Sequence, residues 1–131
     1  MTEDRDTVHG VMTADVVTVV ATDPVREAIA RMLAPDIGSV VVVEDGAPVG
    51  LFTERDLTRR ILSEDDLLDR PVADVMAASL VTVELGTEVV DAFALMNERG
   101  IRRLPVVADG RLVGIVTEGD LRRWVGDVAK G

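Results

Sequence analysis

The chain has 131 residues, of which 47% are hydrophobic. A chain of this length and composition can bury a core, either as one compact domain or as two small fused halves. It contains no cysteine, which excludes disulfides and thiolate metal sites and fits a cytoplasmic protein. A net charge of −10 argues against nucleic acid as a partner, and no apolar run reaches the ~18 residues of a membrane span, so we expect no membrane association.

The sequence from residue 8 to 57 returns without a gap from residue 72 to 121, with 22 of the 50 aligned positions identical. A match of this length without insertions indicates an internal duplication. We therefore divide the chain into five segments. They are an N-terminal tail (1–7), a first repeat (8–61), an acidic connector (62–71), a second repeat (72–125) and a C-terminal tail (126–131).

Each repeat opens with a β-rich run, at 16–20 and at 80–83. A helix follows, for which Asp23 and Thr87 are the predicted N-caps, and the second of these helices is predicted to end at Gly100.

Two further apolar runs flank an Asp-Gly pair in each repeat, at 45–46 and at 109–110, and predict a β-hairpin. A last helix is expected to begin at Thr53 and at Thr117. The order is β-α-β-β-α, twice. We expect a mixed α/β (α+β) fold in which the two sheets pack together about a pseudo-twofold axis, because a half of about 50 residues is marginal alone.

The motif Thr-Glu-x-Asp occurs at the start of each last helix, as Thr53 with Asp56 and Thr117 with Asp120. One interpretation is a capping box, in which each side chain satisfies a backbone donor. The other is a ligand site, because a threonine hydroxyl and helix N–H groups can bind phosphate oxygens and a carboxylate can accept both hydrogens of a ribose diol. The two roles are compatible.

In these motifs the chain resembles the CBS domain, and specifically the tandem pair called a Bateman module. The resemblance covers residues 8–125 and rests on "VHGVMTADVVTV" with "VADVMAASLVTV", and on "IGSVVVVEDGAPVGLFTERDL" with "IRRLPVVADGRLVGIVTEGDL". It implies a non-catalytic regulatory module that binds AMP, ADP, ATP or S-adenosylmethionine between its halves. It also implies a homodimer and a separate regulated protein. The alternative is a ligand-free dimerisation scaffold.

The resemblance also implies the ligand-binding residues. By this resemblance, the ribose and phosphate are bound by Thr117 with Asp120 and by Thr53 with Asp56. The base is bound by backbone groups at Leu80 and Val81 or at Val16 and Val17. A basic residue that is common in the family matches Arg102 or Arg103 in the second repeat. The first repeat has Gly38 and Ser39 at the equivalent positions, and Val41 at the position equivalent to Pro105.

Because the protein is acidic, an anionic ligand should favour the site that supplies positive charge, so we expect the Thr117/Asp120 site to be the better one. The competing interpretation of Arg102 and Arg103 is a solvated strand end. Arg59-Arg60 and Arg122-Arg123 are expected late in their helices.

Catalysis and metal binding find little support in the sequence. His9 is the only histidine and has no cysteine near it, so we expect no metal site. No nucleophile–base pair stands out, so we expect no enzyme activity and no catalytic cofactor. Trp124 is expected to pack its helix against a neighbour or a second subunit.

Overall fold

The computed structural model describes residues 6–33, 38–78 and 80–130 of the chain. Its α-helices and strands follow the order predicted for the repeats, after one additional short α-helix, and two 3-10 helices (Leu67–Asp69 and Val72–Asp74) lie between the two repeats' elements. The α-helices and strands are α1 (Val8–Val11), β1 (Thr18–Val20), α2 (Val25–Leu33), β2 (Ser39–Glu44), β3 (Ala47–Thr53), α3 (Glu54–Arg60), β4 (Val83–Glu84), α4 (Val89–Arg99), β5 (Arg103–Ala108), β6 (Arg111–Thr117) and α5 (Glu118–Ala129). No helix in these ranges is both long and apolar enough to cross a bilayer.

The strands form two three-stranded sheets, β1-β2-β3 and β4-β5-β6, which confirms the mixed α/β fold. In each sheet the first two strands are parallel and the last two form an antiparallel hairpin. The hairpin turns are the predicted Asp-Gly pairs, in which both residues have positive φ: 53° and 83° at Asp45 and Gly46, and 52° and 79° at Asp109 and Gly110. Two consecutive positive φ angles define the type I′ turn, whose twist matches that of paired strands.

The chain divides into two compact units that do not coincide with the two sequence repeats. The first unit runs from Val16 to Leu80, and the second combines the chain up to Asp15 with the chain from Val81 onwards. The opening segment of each repeat therefore belongs to the unit that holds the sheet of the other repeat. Periodicity alone could not predict this exchange, because both sheets offer an equivalent edge to either segment.

Backbone hydrogen bonds fix each exchanged segment. In the first unit, Leu51 and Ala77 exchange N–H···O bonds of 3.1 and 2.9 Å, and in the second, Thr13 and Ile115 exchange bonds of 2.9 and 3.0 Å. A glycine precedes each sheet residue. A Cβ on Gly114 would overlap the Met12 sulfur and lie 3.0 Å from the Thr13 carbonyl oxygen, so the close approach requires glycine.

Each unit has its own apolar core, built from one face of its sheet and the helices that cover it. In the second unit Leu104, Val106 and Val116 supply the sheet face, and Leu121 inserts from α5 with no exposed surface. Full burial of a leucine contributes roughly 1.5–3 kcal/mol, so Leu121 anchors the first turn of α5 against the sheet.

Two details of the helices differ from expectation. The N-cap of α4 is Glu88 rather than Thr87, so that prediction is wrong. The Asp23 carboxylate accepts a 3.0 Å hydrogen bond from the backbone N–H of Val20, and both residues precede α2 in the chain. Helix α5 continues to Ala129, so Arg122 and Arg123 lie in its first half rather than near its end. The predicted end of α4 is confirmed, because Gly100 follows it with φ 65°.

Candidate functional site

The two Thr-Glu-x-Asp motifs form capping boxes, as one of their two interpretations predicted. In the second unit the Thr117 N–H donates to Asp120 Oδ2 over 2.9 Å, and the Asp120 N–H donates to Thr117 Oγ1 over 3.2 Å. In the first unit the corresponding bonds between Thr53 and Asp56 measure 2.9 and 3.3 Å. A capping box fixes both side chains at the strand-to-helix junction, which is the geometry that a ligand site there also needs.

The two boxes differ in the use of the threonine hydroxyl. Thr53 Oγ1 donates its hydrogen to Asp56 Oδ2 over 3.1 Å. Thr117 Oγ1 only accepts a hydrogen bond in the described part of the chain, so its own hydrogen remains available to an acceptor. A hydroxyl has one donor hydrogen, and only Thr117 can offer it to a phosphate oxygen without breaking a bond.

The first turn of α5 retains one backbone donor. The Glu118 N–H bonds to the Arg102 carbonyl oxygen over 3.0 Å, and the N–H groups of Thr117 and Asp120 are used within the capping box. The N–H of the exposed Gly119 has no partner among the described residues. Unpaired N–H groups and the helix dipole favour an anion at this end of α5, a helix of 12 residues.

The two arginines of the predicted site occupy different positions. Arg103 is the first residue of β5 and lies directly opposite Thr117 on β6, so the two side chains share one face of the sheet. Arg102 lies outside the strand and is exposed. Neither side chain forms an ion pair or hydrogen bond within the described ranges. Of the two, strand register brings Arg103 beside Thr117.

Pro105 changes the backbone beside this junction. In the first unit the Val41 N–H donates to the Val17 carbonyl oxygen over 3.1 Å. The equivalent pair in the second unit is Pro105 and Val81, and proline has no N–H, so the Val81 carbonyl accepts no hydrogen bond among the described residues. The same loss explains why β4 begins at Val83, one position later than the equivalent start of β1.

The remaining residues predicted to contact a base also lie outside regular strands. Val16 and Val17 precede β1 and are half-buried. Leu80 is the last residue of the first unit, and its N–H donates to the Ala78 carbonyl oxygen over 2.9 Å. Of these three, Val17 already has its carbonyl bonded, which leaves less backbone for a ligand than at Val81.

Sequence reasoning missed the partner of Asp120. The Asp120 residue is only 7% exposed, and its Oδ1 accepts a hydrogen bond from Arg123 Nη2, whose side chain is 73% exposed. A cavity of about 570 Å³ adjoins the pair. Its lining includes Asp120, Arg123 and Trp124 of α5 and Gly10 and Val11 of α1. The spacing of three residues on the predicted helix was the signal that could have indicated this ion pair.

The corresponding residues of the first unit, Asp56 and Arg59, do not form an ion pair with each other. Asp56 is half-buried, and its Oδ1 accepts no hydrogen bond from any described residue. Arg59, which occupies the position of Arg123, forms no ion pair within the same ranges. Among the described residues no group of three histidine or acidic side chains has the arrangement of a metal site, and His9 is exposed on α1.

The duplicated sequence agrees with comparisons to known proteins. An uncharacterized protein of Methanopyrus kandleri is 44% identical over 110 residues, which are 82% of this chain and 56% of that protein, so the chain spans little more than half of this relative. The CBS domain-containing protein YhcV of Bacillus subtilis is 38% identical over 87% of this chain and 81% of its own length. The structure of CBSX2 in complex with AMP superimposes with a TM-score of 0.80 at 29% identity, covering 94% of this chain and 98% of CBSX2. The model of the CBS domain matches residues 8–63 and 72–127, and the chain therefore belongs to the CBS domain family as a tandem pair.

Proposed function

We propose that this chain is a regulatory module that binds an adenine nucleotide at the N-terminal end of α5. The observation that carries the proposal is the Thr117–Asp120 capping box, which presents a carboxylate, a hydroxyl and a helix N-terminus with Arg103 beside them. The AMP complex of CBSX2 supports an adenine ligand, because that protein shares the fold and 29% of the sequence.

Ribose and phosphate would divide these groups between them. An ionised aspartate is an acceptor only, so Asp120 suits the two hydroxyl groups of a ribose and repels a phosphate. A phosphate instead suits the Gly119 N–H, the Thr117 hydroxyl and the Arg103 guanidinium, which are all donors without an acceptor among the described residues. The donors supply the local positive potential that a protein of charge −10 needs to attract an anion.

The adenine base would be recognised by backbone. The Val81 carbonyl oxygen has no donor among the described residues because Pro105 cannot donate to it, and an exocyclic amino group can donate one hydrogen there. Val81 is half-buried, and its carbonyl has no donor among the described residues, so a ligand that donates to it gains a hydrogen bond that other ligands lack. A base with an amino group is therefore preferred over one with a carbonyl at that position.

The second unit is the better of the two candidate sites. Within the described residues it alone has an unbonded hydroxyl at Thr117, an unbonded carbonyl at Val81 and an arginine opposite the threonine; the first unit has the buried Ser39 there. The site at Thr53 and Asp56, with Val16 and Val17, is the secondary candidate, at the start of a helix of seven residues. The identity of the ligand among AMP, ADP, ATP and S-adenosylmethionine, the homodimer and the regulated protein remain predictions.

A calorimetric titration of the whole chain with AMP, ADP, ATP, S-adenosylmethionine and inorganic phosphate tests the proposal. We expect an adenine compound to bind and Asp120→Ala to weaken its binding by about 1.5–3 kcal/mol, the contribution of hydrogen bonds to a charged group. Asp56→Ala is the matched control, because it removes an equivalent capping carboxylate but leaves the preferred site intact. If none of the adenine compounds binds, the ligand-free scaffold is the better account, and turnover of an added nucleotide would instead indicate an enzyme.

A further inference from the structure

We propose that Arg123 is a displaceable latch on Asp120, which must leave the carboxylate before a ribose can bind. The inference rests on the proposed nucleotide site and adds a regulatory element to it. Asp120 is 7% exposed, and Arg123 Nη2 donates to its Oδ1 while the Thr117 N–H donates to its Oδ2. Both carboxylate oxygens therefore already have donors, and Asp120 has little exposed surface for a diol while Arg123 is bonded to it.

The latch stabilises the empty site. A carboxylate that is more than nine-tenths buried needs compensation, and Arg123 provides it with a charge-assisted hydrogen bond. Since the Arg123 side chain is 73% exposed, it can leave without disturbing the core. A ribose diol replaces the lost donor with its two hydroxyl hydrogens, so the carboxylate remains hydrogen-bonded in both states.

The displaced guanidinium has a second carboxylate within reach. Asp127 lies four residues after Arg123 on α5 and lines the same cavity of about 570 Å³. It forms no ion pair with any described residue. Side chains four residues apart on a helix are neighbours, so Arg123 can exchange Asp120 for Asp127 as its partner. By this inference the latch has two resting positions on one helix, of which the structure shows the one on Asp120.

The first unit provides an internal comparison. Its Arg59 occupies the equivalent position but forms no ion pair, and Asp56 Oδ1 has no donor among the described residues. A diol can reach Asp56 without displacing a cation. The two repeats therefore differ in control: the site with better phosphate donors is latched, and the other is open.

Titration with adenosine, which has the diol but no phosphate, tests whether Arg123 acts as a latch on Asp120 rather than as a phosphate-binding residue. We expect Arg123→Gln to tighten adenosine binding roughly three- to tenfold, because no charge-assisted bond has to be broken. The affinity for 2′,3′-dideoxyadenosine, which lacks the diol, should not change. Asp127→Asn should weaken adenosine binding about twofold, because it removes the second resting position. Arg59→Gln is the matched control and should leave all affinities unchanged.

The outcomes distinguish the latch from the site on which it rests. If adenosine binding depends on Asp120 but Arg123→Gln leaves it unchanged or weaker, the latch is wrong and the nucleotide site stands. An equal gain for adenosine and dideoxyadenosine would also refute the latch, because the effect would not act through the diol. If neither the wild type nor Arg123→Gln binds adenosine or AMP, both proposals fail. Binding by Arg123→Gln alone would support the latch most strongly.

Discussion

Replacing Pro105 with valine tests whether an unbonded carbonyl recognises the base. Valine is the residue at the equivalent position 41, where its N–H donates to the Val17 carbonyl over 3.1 Å. Pro105→Val should therefore create the same bond to Val81 and extend β4 backwards by one residue. Both positions are buried in the central strand of their sheets, and the two side chains have similar volumes, so repacking should be small.

The expected magnitudes follow from the exchanged groups. The new hydrogen bond contributes about 0.5–1.5 kcal/mol to folding, whereas loss of the proline ring returns about 0.4–1 kcal/mol of entropy to the unfolded chain. The free energy of unfolding should therefore change by less than about 1 kcal/mol. Binding of adenosine should weaken by about 0.5–1.5 kcal/mol, roughly two- to twelvefold, because Val81 no longer offers an unbonded acceptor.

Calorimetry of Pro105→Val with adenosine measures the affinity, and hydrogen exchange of the amide introduced by the substitution reports whether the new bond forms. The reciprocal change Val41→Pro is the control, since it frees the Val17 carbonyl in the first unit and leaves Val81 unchanged. Unaltered adenosine affinity in Pro105→Val, together with a protected amide at that position, would refute the role of Val81.

Three further tests concern other parts of the structure. Thr117→Val and Thr53→Val should each lower the free energy of unfolding by about 1 kcal/mol through loss of a cap, but only Thr117→Val should weaken AMP binding. Equal effects on AMP affinity in calorimetry would contradict the claim that only the Thr117 hydroxyl is free to donate. Gly114→Ala should destabilise the protein by about 1–3 kcal/mol in urea unfolding, because its Cβ overlaps Met12. Adding Met12→Ala should recover part of the lost stability. If Gly114→Ala does not destabilise the protein, the opening segment does not pack against Gly114. Raising the salt concentration should weaken AMP binding more than adenosine binding, and equal salt dependence would argue against a phosphate contact at Arg103.

Local chemistry made much of the fold predictable from the sequence. The Asp-Gly turns, the end of α4 at Gly100 and the starts of α3 and α5 at Thr53 and Thr117 each depend on residues a few positions apart. Such features are encoded locally, because a positive φ or a capping hydrogen bond involves only neighbouring residues.

The features that the sequence did not predict depend on distant or competing partners. The exchange of opening segments is set by which sheet edge Thr13 and Ala77 pair with, and both edges are chemically alike. The effect of Pro105 on Val81 appears only once the strand register is known. Arg123 was expected near a helix end, whereas α5 continues through Gly126 to Ala129. Isolated glycines weaken helices without always ending them.

A crystal structure of the chain with AMP tests the central claim most directly. We predict that both ribose hydroxyl groups lie within hydrogen-bond distance of the Asp120 carboxylate, that the phosphate contacts the Gly119 N–H and Thr117 Oγ1, and that Arg123 has left Asp120. AMP bound away from α5, with the pair of Asp120 and Arg123 still intact, would contradict the account.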